Sequence, residues 1–130
     1  MPESGIVLLA HGSPDPDWLA SARRTESALA ARSPDTTVRL ATLGGEHQTD
    51  CDTIVDALVH EGHRRITVVA LFLSAGGKHV KRDLPARVAT MQARHGGVQI
   101  RLAPGALGEA PEVIEALAAA AARAAGESEP

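Results

Sequence analysis

One apolar run limits the folds that this chain can adopt. Residues 66–73 read ITVVALFL, with an apolar side chain at nearly every position and many β-branched residues. A strand that is apolar on both faces must be covered on both faces, which is typical of the middle of a parallel sheet flanked by helices. The small residues at 74–77 (SAGG) let the chain turn sharply directly after the run. The run therefore predicts an α/β protein.

The other predicted strands are shorter or more polar. Residues 5–10 form a second continuous apolar run, and residues 98–102 alternate between apolar and polar side chains. Residues 37–43 also alternate, which indicates a strand nearer the edge of the sheet. Residues 103–110 are predicted to be a loop.

Each predicted strand is followed by a predicted helix. The helices are expected at residues 17–32, from residue 51 to Gly62, at 80–94 and at 111–125. The apolar face of the last one carries Val113, Ile114 and Leu117. Four such units predict a four-stranded parallel sheet flanked by helices, a flavodoxin-like three-layer α/β sandwich. Residues 1–126 are expected to form one domain and residues 127–130 a frayed tail.

Composition excludes several classes of protein. The 130 residues are 44% hydrophobic and 22% charged, which is typical of a globular domain and not of a disordered chain. A formal net charge of −3 gives no reason to expect a nucleic-acid partner. No run is long enough to span a membrane or to act as a signal peptide, so a cytoplasmic protein is expected. The single cysteine, Cys51, excludes an internal disulfide and is interpreted as a small buried hydrophobe.

Two histidines follow buried strands and lie beside glycines. His11 ends the first apolar run, and His79 follows the turn after the run at residues 66–73. In a parallel sheet all strand-to-helix loops lie on one edge, where ligands bind, so we expect both histidines to meet there with the Glu46–His47 pair and Glu109. Imidazole binds divalent first-row metals and accepts protons near neutral pH. One such histidine is more often bonded to the backbone, but two at one edge favour a functional site.

Several short motifs resemble one known family. The sequences AHGS at residues 10–13, LFL at 71–73, GKHV at 77–80 and DLP at 83–85 closely resemble the short sirohydrochlorin chelatases, which are small class II chelatases. Residues 108–117 also resemble the end of the family's sequences. The resemblance implies a lyase, a cobaltochelatase or ferrochelatase, that inserts Co²⁺, Fe²⁺ or in some members Ni²⁺ into a tetrapyrrole with many carboxylates. The metal is then a substrate, and no organic cofactor is needed.

The resemblance also implies roles for individual residues. His11 and His79 would be the catalytic residues that hold the metal. Independently of the resemblance, the clustered positive charge of Lys78, Lys81 and Arg82 would attract substrate carboxylates. A solvated first helical turn is an equally simple interpretation of Lys81 and Arg82. Gly76 and Gly77 are interpreted first as serving backbone geometry, and alternatively as letting a flat macrocycle lie close. Ser13 belongs to the first motif. These residues, with Glu46 and His47, form the expected substrate site.

One segment departs from the family pattern. The family commonly has a glutamate after its second strand, but this chain has Thr42, Leu43 and Gly44, with Glu46 and His47 slightly later. Glu46 replaces that carboxylate, or His47 adds a nitrogen donor, or the role is lost. A polar surface loop is an equally good interpretation of the segment. The metal preference therefore stays open.

Three further expectations complete the sequence analysis. By analogy with chelatases of twice the length, the chain is expected to form a homodimer with the active cleft where two copies meet. The main alternative function is a non-catalytic tetrapyrrole or metal carrier of the same fold. A phosphoryl-transfer role for His11 is disfavoured, because Ala10 stands where histidine phosphatases have an arginine. His60, His63 and His95 are interpreted as surface or helix-end residues.

Overall fold

Four strands alternate with four helices in the part of the chain that the structure describes. The computed structural model describes residues 3–12, 15, 17, 19–43, 50–74 and 82–126. The elements are β1 (Ser4–His11), α1 (Ala20–Arg32), β2 (Thr36–Leu43), α2 (Cys51–His60), β3 (Arg65–Ala70), α3 (Leu84–Arg94), β4 (Gln99–Ala106) and α4 (Pro111–Ala124). A single 3₁₀ turn, Leu107–Glu109, joins β4 to α4. None of these helices has the length and apolar character that crossing a membrane requires.

The four strands form one parallel sheet in the order β2-β1-β3-β4. β1 pairs with β2 from Ser4 opposite Thr36 to His11 opposite Leu43, and it pairs with β3 on its other side. The predicted α/β fold is confirmed, and β2 is an edge strand as its alternating pattern indicates.

The main hydrophobic core lies on one face of this sheet. α2 and α3 each bury three side chains, and these pack with alternate residues of β1 and β3 such as Val7 and Val68. The buried helix residues are Cys51, Val55 and Leu58 of α2, and Leu84, Val88 and Met91 of α3. Gly5 of β1 lies beneath Leu58 and His63, and a Cβ there would make ordinary van der Waals contact with both. These helices were predicted from the same apolar spacing.

The opposite face of the sheet is covered less completely. Leu8 is buried there, but its neighbours Ile6, Thr67 and Val69 stay half-buried. α1 packs on β2, and α4 packs mainly on the 3₁₀ turn. Neither α1 nor α4 contains a buried residue. The expectation that both faces of the central strand are covered is therefore only half met within one chain.

Helix side chains make hydrogen bonds with backbone groups at both edges of the sheet. At the β2 edge, the carboxylate of Glu26 accepts a hydrogen bond from the amide of Leu40 at 2.6 Å. At the β4 edge, Gln92 accepts from the amide of Ile100 at 2.7 Å and donates to the carbonyl of Val98 at 2.6 Å. Because these groups are already bonded, neither edge offers a continuous row of open donors and acceptors.

Several element boundaries differ from the predicted ones. β3 ends at Ala70, and Leu73 is 72% exposed instead of buried. β4 continues to Ala106 through a register shift, so most of the predicted loop at 103–110 is strand and 3₁₀ turn. α1 begins at Ala20. Gly62 has a φ of 99° just past α2, as expected where a helix ends on glycine.

His63 corrects the interpretation of the helix-end histidines. Its side chain is buried, with Nδ1 2.9 Å from the carbonyl oxygen of Leu58 and Nε2 2.9 Å from the hydroxyl of Thr37. The bond to Thr37 joins residues 26 positions apart, which no local pattern reveals. His60 is exposed, as expected.

Candidate functional site

A cavity of about 520 Å³ opens at the carboxyl end of β1. It lies between α1 and the segment that follows β3, at the edge of a parallel sheet where ligands usually bind. Its walls are mostly apolar, with a few hydroxyl groups from serine and threonine. The lining residues are Ala10, His11, Leu19, Ser21, Ala22, Thr25, Leu71, Phe72, Leu73 and Ser74.

His11 is the last residue of β1 and lines this cavity. Its imidazole stacks on the ring of Phe72, with the ring centroids 4.3 Å apart and the planes 20° from parallel. Phe72 is only 9% exposed, whereas His11 is exposed. A buried aromatic ring therefore supports one face of an imidazole that solvent or a ligand can reach.

Two segments that carry most of the other predicted site residues, 44–49 and 75–81, follow described residues at this edge. Leu43 pairs with His11, accepts a hydrogen bond from the amide of Gly12 at 3.1 Å, and is the last residue before 44–49. Ser74 lines the cavity and is the last residue before 75–81. Seven predicted site residues lie outside the described residues: Ser13, Glu46, His47, Gly76, Gly77, Lys78 and His79. Their convergence on His11 stays a prediction.

A charged cluster holds the start of α2 against α3 near the same edge. Asp50 bridges to Thr42 of β2, and its carboxylate accepts a hydrogen bond from the amide of Asp52. Arg87 of α3 donates to Asp50 at 2.8 Å and to Asp52 at 2.9 Å. The hydrogen bond to Asp52 raises the pKa of Arg87. Sequence analysis did not find this cluster, because Arg87 and Asp50 are 37 residues apart.

The 3₁₀ turn before α4 is docked onto the segment after β3. The amide of Gly108 donates to the carbonyl of Phe72 at 2.8 Å, and a Cβ at Gly108 would collide with the backbone of Leu73. The carboxylate of Glu109 accepts a hydrogen bond from the amide of Ala106 at 3.1 Å. Glu109 thus lies on the edge predicted for it, where its carboxylate helps to hold the turn.

Few metal ligands are gathered within the described residues. No group of three or more histidine, cysteine, aspartate or glutamate side chains there is arranged to hold a metal ion. Burial raises the pKa of the Cys51 thiol to about 12, so it is a poor thiolate donor. His95, just past the end of α3, contacts Asp56 through Nε2 at 2.7 Å. His11 is the described histidine that borders the cavity.

The strand order, the parallel pairing and the cavity beside His11 define a small α/β protein with its candidate site at the carboxyl edge of the sheet. A protein-family model named CbiX matches residues 5–124, and the chain belongs to the CbiX family. A CbiX protein of Marinobacter aquaeolei VT8, named for cobalamin (vitamin B12) biosynthesis, is 31% identical with a TM-score of 0.78, and the match covers 95% of both chains.

Two solved structures of SirB share the fold. The sirohydrochlorin chelatase SirB from Bacillus subtilis subspecies spizizenii, in complex with cobalt, is 24% identical with a TM-score of 0.66. SirB from Bacillus subtilis with Fe³⁺ is 24% identical with a TM-score of 0.65. Each match covers 77% of this chain but only 42% and 39% of the SirB chains, so the chain spans about two fifths of their length. A search of curated proteins finds no match to this sequence.

Proposed function

We propose that this protein is a sirohydrochlorin chelatase, a lyase that inserts Co²⁺ or Fe²⁺, or Ni²⁺, into the tetrapyrrole sirohydrochlorin. The observation that carries the proposal is an exposed histidine, stacked on a buried Phe72, at the mouth of a cavity in a chain of the CbiX family. The SirB structures with cobalt and with Fe³⁺ favour cobalt and iron as the first metals to test.

Metal insertion needs the chemistry that an imidazole supplies. The incoming ion must exchange water for another ligand before it meets the macrocycle, and two pyrrole N–H protons must leave as the metal enters. Neutral imidazole binds first-row divalent ions and accepts protons near neutral pH. We assign both tasks to His11, together with His79, whose position is a prediction from the sequence. The stack on Phe72 limits the orientations of the His11 ring, which lowers the entropy lost when it binds the ion.

The cavity suits a flat apolar ring with polar substituents. Its volume of about 520 Å³ falls within the range of small-molecule sites. Leu19, Ala22 and Leu71 supply apolar walls, and Ser21 and Ser74 supply hydroxyl groups. A macrocycle lying against the apolar walls would keep its carboxylates towards the open edge, where Lys78 is expected from the sequence.

The direct test is metallation of sirohydrochlorin by the purified protein under anaerobic conditions. Insertion is followed by the change in the absorption spectrum with Co²⁺, Fe²⁺ or Ni²⁺ supplied separately. The parent protein should accelerate at least one of these reactions, and His11→Ala should lose about 100-fold or more of the accelerated rate. His60→Ala is the matched control, because His60 is an exposed histidine at the end of α2. Equal rates for His11→Ala and the parent would refute the role of His11.

A non-catalytic tetrapyrrole or metal carrier is the second candidate. It is favoured by Thr42, Leu43 and Gly44, which stand where the family commonly has a glutamate-containing segment. A carrier would bind sirohydrochlorin in a fixed stoichiometry and leave the metallation rate equal to the rate without protein. Any acceleration beyond one turnover per chain excludes this candidate.

A homodimer is part of the proposal. The chain spans about two fifths of the SirB chains, so two copies together approach the length of one SirB chain. Sedimentation of the purified protein tests the association state directly.

A further inference from the structure

The 3₁₀ turn after β4 holds the segment that carries Phe72. This segment, residues 71–74, lines the cavity beside His11. On one side of it, the amide of Leu71 donates a hydrogen bond to the carbonyl of Leu9 in β1 at 2.8 Å. On the other side, the amide of Gly108 in the turn donates to the carbonyl of Phe72 at 2.8 Å. The segment therefore lies between β1 and the turn, and its backbone is bonded to both.

A register shift in β4 brings Gly108 beside Phe72. Val68 of β3 pairs with Leu102, whereas Ala70 pairs with Ala106, so a step of two residues on β3 corresponds to four on β4. The extra length includes a glycine, residue 105, with a φ of 71°, a conformation that other residues rarely adopt. Without the shift, Ala106 would lie beside Phe72. The shift therefore places a residue without a side chain at this position.

Gly108 is required by its neighbour and not by its own backbone. The described glycines with a positive φ are Gly62, Gly105 and Gly126, so Gly108 does not need glycine for its φ. A Cβ at Gly108, however, would collide with the Cα and the carbonyl oxygen of Leu73. These are backbone atoms, which cannot rotate away as the end of a side chain can. Any larger residue at this position must therefore displace either that segment or the turn.

A displaced segment would move the ring of Phe72. This ring is 9% exposed and stacks on the imidazole of His11, with the centroids 4.3 Å apart. The attraction between stacked rings falls steeply with distance, because it comes from close contact between many atoms. His11 is exposed, so the stack on the buried ring restricts where its imidazole points.

We propose that Gly108 is a positioning residue for His11. Its missing side chain lets the turn close on Leu73, and its amide fixes the carbonyl of Phe72, so the ring of Phe72 is held where the imidazole stacks. Gly108 itself lies outside the lining of the cavity and acts only through Phe72. The inference deepens the proposed function and rests on it only for the effect on metal insertion.

The first test is the NMR signal of the His11 imidazole protons in the whole chain. The ring current of Phe72 shifts these signals upfield. Phe72→Leu gives their position without the stack, and His11→Ala identifies them. Gly108→Ala should move the signals at least half of the way from the parent position to the position in Phe72→Leu. Spectra over a pH series separate a change of protonation from a change of ring position.

Gly96→Ala is the matched control for Gly108→Ala. It adds the same methyl group to a glycine without a positive φ, and a Cβ at Gly96 meets nothing within 4 Å. It should leave the His11 signals at the parent position. A folded Gly108→Ala protein with parent signals would mean that the turn gives way and the stack does not, which overturns the inference. An equal shift in Gly96→Ala also overturns it.

Variants of Glu109 decide the question if Gly108→Ala does not fold. The carboxylate of Glu109 accepts a hydrogen bond from the amide of Ala106 at 3.1 Å, which helps to hold the turn. Glu109→Ala removes this acceptor, whereas Glu109→Gln keeps an oxygen that accepts the same bond. Glu109→Ala should shift the His11 signals towards their position in Phe72→Leu, and Glu109→Gln should keep the parent signals. Parent signals in Glu109→Ala overturn the inference.

Metal insertion measures the consequence for the reaction. Gly108→Ala should lose about tenfold or more in kcat with a smaller change in KM, because a small misplacement of a reacting group slows the reaction more than it weakens binding. Gly96→Ala should keep the parent rate. Shifted signals with the parent kcat overturn the positioning role.

The NMR measurement separates this inference from the proposed function, because it uses neither metal nor tetrapyrrole. If the His11 signals shift as expected but the parent protein inserts no metal, only the chelatase is refuted. If the parent inserts metal and Gly108→Ala keeps the parent signals, only the role of Gly108 is refuted.

Discussion

The imidazole of His11 and the ring of Phe72 are stacked with their centroids 4.3 Å apart, although the two residues come from different β-strand ends. The pairing of β1 with β3 explains why the two rings meet. β1 and β3 are neighbours in the sheet, and the amide of Leu71 bonds to the carbonyl of Leu9 at 2.8 Å, so the residues that follow them emerge side by side. The proposed metal-handling histidine thus has a fixed platform in Phe72, two residues past the end of the neighbouring strand β3.

Replacing Phe72 should separate its effect on the orientation of the His11 ring from its effect on the stability of the protein. Phe72→Leu keeps an apolar side chain but removes the stack, so we expect about a tenfold or greater loss of kcat with a smaller change in KM. Because Phe72 is buried, the variant should lose about 1–3 kcal/mol of unfolding free energy, measured by urea denaturation. Met91→Ala is the control, because it also weakens the core but lies on α3 outside the cavity lining. A normal kcat in Phe72→Leu would remove the stack from the mechanism.

Arg87 is expected to position the start of α2 without being essential for folding. Arg87→Met keeps most of the side-chain volume but breaks both bonds to Asp50 and Asp52. These groups are about one third exposed, so we expect a loss of about 1 kcal/mol or less in unfolding free energy. Metallation should fall by more than that loss explains, because Asp50 directly follows residues 44–49.

The control for Arg87 is a similar ion pair elsewhere. Arg39→Met breaks the paired bonds to Glu61, which follows α2 at its opposite end. This change should lower the unfolding free energy to a similar extent and leave the metallation rate unchanged. If both variants metallate equally, the cluster around Arg87 is purely structural.

Cys51 should be unreactive in the folded protein. Burial raises the pKa of its thiol to about 12, so almost no thiolate is present at pH 8. A thiol reagent such as iodoacetamide should modify it only as fast as the protein unfolds, and rapidly in denaturant. Mass spectrometry of timed samples measures this. Fast modification of folded protein at pH 8 would contradict the burial of Cys51 at the start of α2.

Asp56 should contribute stability that is lost in acid. The hydrogen bond with His95, and then the one from Arg94, lower the pKa of Asp56. Because this pKa is lower in the folded than in the unfolded state, the contribution is present at neutral pH and disappears as the pH falls below about 4. Its size is about 1 kcal/mol or less, since Asp56 is half exposed. The gap in unfolding free energy between the parent and Asp56→Asn should therefore stay constant above about pH 5 and shrink as the pH falls below about 4. A gap that is the same in acid as at neutral pH contradicts this assignment.

The sequence predicted what depends on local pattern. Apolar spacing located β1, α2 and the buried side of α3, and the two continuous runs predicted a parallel sheet. The position of His11 at the end of β1 followed from the same reasoning. These features are encoded by neighbouring residues, so periodicity is enough to find them.

Features that depend on distant residues were missed. His63 was expected at the surface, but Thr37 across the fold satisfies its second ring nitrogen and allows it to be buried. Leu73 was expected in the buried strand, yet β3 ends at Ala70 and the chain bends away from the sheet. The apolar pattern of α4 indicated a helix but not which surface covers it. Each outcome depends on tertiary contacts that local sequence does not specify.

The bonds that Glu26 and Gln92 make at the two borders of the sheet restrict how copies can combine. Leu40 and Ile100 have already given their outward amides to these side chains, so a strand from another molecule would have to displace a charged or amide group at either border. Joining two sheets into a longer one is therefore disfavoured. Contact between copies is then left to the two faces of the molecule, and fibre-like growth from strand to strand is kept in check.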